Sequence, residues 1–134
     1  MTPLSSAELG TFARKYRFAG AVLRSARVIH RGAKAVAIEF RISIRQAIKD
    51  LGTEPKRVRL TLRLEGVEEF RLQMRPNMPK VKIADARFGF HNGLFFVNLD
   101  AWGLEPGEVP KVMDYRASEV YAAGRELLWE EAGT

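Results

Sequence analysis

Val58-Arg59-Leu60-Thr61-Leu62-Arg63-Leu64-Glu65-Gly66-Val67-Glu68-Glu69-Phe70-Arg71-Leu72-Gln73-Met74-Arg75 alternates apolar and polar residues along most of its length, and its reading decides the fold. A period of two is the mark of a strand with one buried and one solvated face. Val58, Leu60, Leu62, Leu64, Phe70, Leu72 and Met74 share one face, and Arg59, Thr61, Arg63, Arg71, Gln73 and Arg75 share the other. With a turn around Gly66 the stretch becomes an antiparallel hairpin of 58–64 against 70–75. Turns of three or five residues both keep the even positions together, and the shorter one sets Arg63 opposite Glu69.

On both sides of this stretch the middle of the chain stays rich in Val, Ile, Leu, Phe and Arg, broken by turn residues. The expected strands are 18–30, 35–45, 57–64, 70–75, 80–90 and 94–101. Short connections make neighbours antiparallel. Asn92-Gly93 is the strongest hairpin signal, because both central positions of the favoured two-residue turn need positive φ. It pairs Phe90 with Phe95, Phe88 with Val97 and Ala86 with Leu99 on one face, and His91 with Leu94, Gly89 with Phe96, Arg87 with Asn98 and Asp85 with Asp100 on the other. Val81 and Ile83 are out of phase with Phe88 and Phe90, so a bulge or bend is expected between Ala84 and Arg87.

The two ends of the chain read as helices. Ser5 and Glu8 have capping-box spacing, and Leu9, Phe12, Ala13 and Tyr16 follow at helical spacing, predicting a helix over 6–16. At the other end Asp114 is a candidate cap for a helix running to about Glu131, with Ala117, Val120, Tyr121, Gly124, Leu127 and Leu128 as its apolar stripe. Gly124 on that stripe points to a close approach to the sheet. The fold class is therefore α+β: a predominantly antiparallel sheet of about six strands, open, barrel-like or sandwiched, with an N-terminal and a C-terminal helix.

A chain of 134 residues with 46% hydrophobic and 28% charged residues has the composition of one ordinary globular domain, taken as 1–134. It contains no cysteine. That removes disulfides, thiolate nucleophiles and cysteine-ligated metals. No signal-like or membrane-spanning apolar run is present, so a cytoplasmic protein without a membrane partner is expected.

Charge is unevenly spread. Residues 14–87 hold 19 Lys and Arg against 7 Asp and Glu, whereas 88–134 hold 3 against 8. Such asymmetry speaks to partners rather than to chemistry. Arg59, Arg63, Arg71 and Arg75 on one strand face, with Arg41 and Arg45 on a nearby strand, are the candidate polyanion-binding set, since each guanidinium offers a bidentate fork to phosphate. The ordinary alternative is a solvated sheet face with Glu65, Glu68 and Glu69 as partners. The face lacks the interleaved aromatics on which bases stack. Phe96, Trp102 or Tyr16 would have to supply them.

Signs of an enzyme are thin. Asp85 and Asp100, directly opposed in the hairpin, are the one candidate for a cation or acid–base site, with neutralisation by Arg87, Lys80 or Lys82, or an early end to the strands, as the plainer account. His91 lies about three pairs away, and His30 and His91 read as solvated turn residues. No nucleophile elbow, phosphate-binding glycine loop or cofactor motif is present. Phe96 points to the polar side of its hairpin and needs a cover, and Trp129 lies off the main stripe of the C-terminal helix; both are candidate interface residues.

The expectation is a non-enzymatic, cofactor-free binding module whose basic sheet face meets RNA, single-stranded DNA or an acidic protein. The alternative is an interaction or homo-oligomeric assembly protein, a homodimer for example, whose acidic C-terminal helix covers the basic sheet.

Overall fold

A computed structural model of the chain describes residues 1–30, 32, 36–47, 55–73, 81–100, 111–112, 115 and 120–133. Strand β1 (Thr2–Leu4) leads through a 3-10 turn (Ser6–Glu8) into helix α1 (Leu9–Lys15). Strands β2 (Tyr16–His30), β3 (Val36–Gln46), β4 (Arg57–Leu72), β5 (Val81–Lys82), β6 (Arg87–His91), β7 (Leu94–Asn98) and β8 (Val120–Gly133) follow. The capping box is formed as expected, with the Ser5 N–H donating to Glu8 Oε1 at 2.9 Å. All strand pairs are antiparallel, in the order β5-β2-β3-β4-β8-β7-β6, and β1 adds to β8.

Two expectations are corrected. First, the hairpin of 58–64 against 70–75 does not form: β4 runs unbroken through Gly66. Gly66 takes φ +59, and the register on β8 slips between Val67 and Glu69, so the glycine kinks and bulges one long strand instead of reversing it. Arg63 consequently faces Glu39 of β3, not Glu69.

Second, the helix expected to run to about Glu131 is not found over residues 120–133: Val120, Tyr121, Gly124, Leu127 and Leu128 of its apolar stripe belong to strand β8, and Asp114 and Ala117 lie outside the described residues. This segment pairs with β4 from Val58↔Gly133 to Leu72↔Val120, and on its other side with β7 and β1. Ala, Glu and Leu favour a helix, yet that preference amounts to tenths of a kcal/mol per residue. Two flanking ladders satisfy many otherwise unpaired backbone groups, and they decide the outcome. Gly124 does mark a close approach: a Cβ there would lie 2.8 Å from the Glu65 carbonyl oxygen.

The sheet is curled. β5 and β6 are its opposite edges, yet only residues 83–86 separate them. A flat seven-strand sheet would hold its edges ~29 Å apart at ~4.8 Å per strand. The five-residue step from Lys82 to Arg87 reaches at most ~18 Å. The edges must therefore approach, and Phe18 of β2 meets Phe88 of β6 with ring centroids 5.1 Å apart. Phe12 of α1 packs on Phe88, Phe18, Tyr16 and Trp129, plugging the seam. The Gly20 N–H donates to the Ile83 carbonyl at 2.9 Å, and the Ile83 N–H to the Ala21 carbonyl at 2.8 Å. That crossover forces β2 into a wide bulge, since four residues, 18–21, lie opposite Ile44 alone.

Inside the curl lie Ile38, Phe40, Ile42 and Ile44 of β3, Val58, Leu60, Leu62 and Leu64 of β4, and Leu127 of β8, all at most 1% exposed. The Asn92-Gly93 hairpin has the expected register from Arg87↔Asn98 to His91↔Leu94, with φ of +54 and +79 in its turn. The phase correction also occurs where expected, Ile83 and Ala86 both pointing into the core. No helix among the described residues is long and apolar enough to cross a membrane.

Candidate functional site on the outer face of strands two to four

Because alternate residues of β3 and β4 fill the core, the intervening ones project outward, and the register arranges them in rows across β2, β3 and β4. Arg17, Arg45 and Arg57 make the row nearest the end of the sheet. The next holds Val22, Ser43 and Arg59, and the third holds Ser25, Arg41 and Thr61. Arg24, the extra residue of a bulge between Leu23 and Ser25, is exposed beside the third row. The last row is Arg27, Glu39 and Arg63. From Arg45 to Glu39 the rows cover ~20 Å along β3 at ~3.3 Å per residue, and ~10 Å across the strands.

Glu39 anchors the last row. It is 3% exposed, and its carboxylate accepts from Arg63 at 2.6 and 3.2 Å and from Arg41 at 3.1 Å, with Arg27 3.8 Å away. Burial pushes its pKa up, but the hydrogen bonds and charges of Arg63 and Arg41 outweigh this and hold the carboxyl below its ordinary value. One carboxylate thus gathers three guanidiniums. By contrast, Arg17, Arg24, Arg45 and Arg59 have no side-chain hydrogen bond or ion pair among the described residues.

Two shallow hollows open on this face. One, of about 240 Å³, lies over the β2 bulge and is lined by Arg17, Ala19, Gly20, Ala21, Ser43, Ile44, Arg45 and Arg57. Its neighbour, of about 360 Å³, is lined by Arg24, Ser25, Arg41, Ile42, Arg59, Leu60, Thr61 and Ala132.

Of the candidate residues read from sequence, Arg41, Arg45, Arg59 and Arg63 come together here. Arg71 does not: it lies beyond the Gly66 kink, eight residues from Arg63, opposite Tyr121. Arg75 and Trp102 lie outside the described residues. The face also contains Arg17, Arg24 and Arg27, which strand periodicity did not single out, and Arg57, which is in phase with Arg59 and Arg63 on β4. A glycine inside a strand, here Gly20, was the available signal that β2 carries a bulge and that its outward positions shift.

Of the candidate interface residues, Phe96 is covered within the chain and Trp129 is half-buried. Phe96 is 2% exposed beneath Tyr115, with ring centroids 5.2 Å apart, in a small second cluster with Ala123. Trp129 is half-buried against Phe12, and Lys15 Nζ stands 4.5 Å from its ring centre. Tyr16, also considered for base stacking, is buried and donates its hydroxyl proton to Glu131 Oε1 at 2.7 Å.

The Asp85 and Asp100 pair is not assembled by the hairpin ladder, which ends at Arg87↔Asn98. Asp85 accepts from the Ala86 N–H and pairs with Arg87, while the Asp100 N–H donates to Asn98 Oδ1. No group of three or more His, Asp or Glu that could hold a metal occurs among the described residues. The arginine rows are therefore the best-supported site, and what they can do is bind anions without acid–base chemistry of their own. No protein-family model, curated protein or solved structure matches the chain.

Proposed function

We propose that the chain is a binding module that holds a single-stranded nucleic acid, RNA in the first instance, by its phosphates. The observation that carries this reading is the juxtaposition of Arg17 and Arg45, directly opposite each other on adjacent strands and without a side-chain partner among the described residues, with Arg57 beside them on β4. Like charges so placed destabilise a sheet. A polyanion lying across the rows relieves that repulsion and receives bidentate donors. With Tyr16 and Phe96 buried, the contacts are to the backbone, so binding should be tolerant of sequence and strongly dependent on salt. The alternative in which a C-terminal helix covers the basic sheet has lost its helix, because β8 lies within the sheet beside β4.

The test is fluorescence anisotropy of a labelled mixed-sequence RNA at 50 and 200 mM salt. Three or four phosphate contacts predict a loss of affinity of about 20- to 50-fold over that range. Arg41→Gln and Arg59→Gln should each weaken binding, and Arg71→Gln should not. An absence of binding at the lower salt would discard the nucleic acid and leave an acidic protein as the occupant to test.

A further inference from the structure

We infer that the hollow over the β2 bulge is a subsite for a phosphomonoester, and that it recognises the terminal 5′-phosphate of the bound strand. This rests on the nucleic-acid reading above and goes beyond it by distinguishing one phosphate from the rest.

The argument begins with the number and placement of cations. Arg17, Arg45 and Arg57 line one recess of about 240 Å³, and Arg17 and Arg45 have no side-chain partner among the described residues. Adjacent strands are ~4.8 Å apart, so the three chains leave the backbone within ~10 Å of one another. Each guanidinium brings five N–H donors in a planar fork. An internal phosphodiester has one negative charge and two free oxygens, which the Arg17 and Arg45 guanidiniums alone already oversupply in charge. A terminal phosphate brings three free oxygens and a charge of about −1.5 to −2 at neutral pH, which matches them better.

The recess is also built differently from the rest of the face. Its β2 wall is the Ala19-Gly20-Ala21 bulge, tied to Ile83 by two backbone hydrogen bonds. Beyond Arg45 the strand end is tied by the Gln46 N–H donating to the Lys56 carbonyl and the Ala47 N–H to the Lys15 carbonyl. Ser43, on the floor, offers a hydroxyl that can donate to a phosphate oxygen. Four residues along β3, ~13 Å away, Arg41 marks the neighbouring hollow, so a strand anchored at its end could continue over Arg41 and Arg59.

The test compares two labelled RNAs of one sequence, with a 5′-phosphate and with a 5′-hydroxyl, at 100 mM salt. Inorganic phosphate is assayed separately by thermal shift. One additional charge-assisted bidentate contact predicts about tenfold or more in favour of the phosphorylated end. That preference should shrink from pH 7.5 to pH 5, as the second phosphate proton, with pKa ≈ 6, returns. Arg45→Gln should abolish it, and Arg17→Gln should do the same. Both side chains are exposed and without described partners, so both variants should fold. Arg59→Gln should weaken the two RNAs equally.

Equal, salt-sensitive affinities for the two RNAs would overturn the subsite and leave the broader reading standing, as would a preference that survives Arg45→Gln. If neither RNA binds but phosphate stabilises the protein in an Arg45-dependent way, the anion site stands and the nucleic-acid reading falls. No response to any of the three probes overturns both.

Discussion

Replacing Glu39 with Gln should make the protein less stable and, if the arginine rows bind a polyanion, a tighter binder. The stability loss follows from what the carboxylate holds. Charge-assisted hydrogen bonds contribute ~1.5–3 kcal/mol each, and breaking a fully buried pair costs ~3–5 kcal/mol. The Arg41 and Arg27 side chains, however, are 60% and 63% exposed and regain water when released. Only Arg63, at 27%, stays partly confined, and Gln keeps one acceptor for it. A net loss of about 2 kcal/mol is expected, which for a domain of this size lowers the melting temperature by roughly 5–10 °C.

Binding should move the other way. A phosphate gripped by Arg41 or Arg63 would stand ~7 Å from the Glu39 carboxylate, a repulsion of ~0.6 kcal/mol at the dielectric of water and ~2.4 kcal/mol at an effective value of 20. Screening at 0.1 M salt favours the low end, so removing the charge should tighten RNA binding about threefold or more. The assay is an RNA titration at 20 °C, well below the melting transition, with circular dichroism confirming the folded state. A folded Glu39→Gln that binds RNA no more tightly than the parent would refute the placement of phosphates over this row. Loss of stability alone would show only that Glu39 organises the three arginines.

Two predictions concern the fold itself. Gly124→Ala drives a methyl to within 2.8 Å of the Glu65 carbonyl oxygen on the paired strand β4, and should cost about 2–3 kcal/mol in urea denaturation. Stability should fall at both ends of the pH range. The hydrogen bond from Tyr16 lowers the Glu131 carboxyl, and the arginines lower Glu39 against the cost of its burial. Their stabilisation is complete above the ordinary value of 4.5 and is lost as pH falls through the depressed ones, because the unfolded chain takes up protons first. Burial and the Glu131 bond raise Tyr16, so its contribution is present below its ordinary value of 10.0 and is lost as pH rises beyond it. Tyr16→Phe should flatten the alkaline limb of a melting-temperature profile.

Local chemistry was legible wherever the structure is decided locally. Asn92-Gly93 needs two positive φ values and specifies its hairpin, and Ser5 with Glu8 closes a capping box within four residues. Gly66 and β8 were misread because their outcome is decided by partners distant in sequence. A glycine between two alternating runs is equally a reversal or a kink, and β8 selects the kink by pairing with both halves of β4. Likewise Val120-Tyr121-Ala122-Ala123-Gly124 has no strand signal of its own. Its Ala and Gly residues are buried between β4 on one side and β7 on the other, and a Cβ at Gly124 would crowd the Glu65 carbonyl.

The site was half-visible for a related reason. Alternation placed Arg41, Arg45, Arg59 and Arg63 outward, since β3 and β4 keep their phase through that region. It did not bring in Arg17, Arg24 and Arg27, whose spacings of seven and three make no regular strand face. Two bulges in β2 absorb the extra residues and restore all three to the same side. The first of these bulges exists because the chain must pass from one sheet edge to the other through residues 83–86, with Ile83 bonded to Gly20 and Ala21. The same bulge walls the hollow around Arg17, Arg45 and Arg57. Closure of the curled sheet and formation of the recess are therefore one structural event. A substitution that straightens β2 at Gly20 should loosen the seam and flatten the proposed anion site together, even though it touches no arginine.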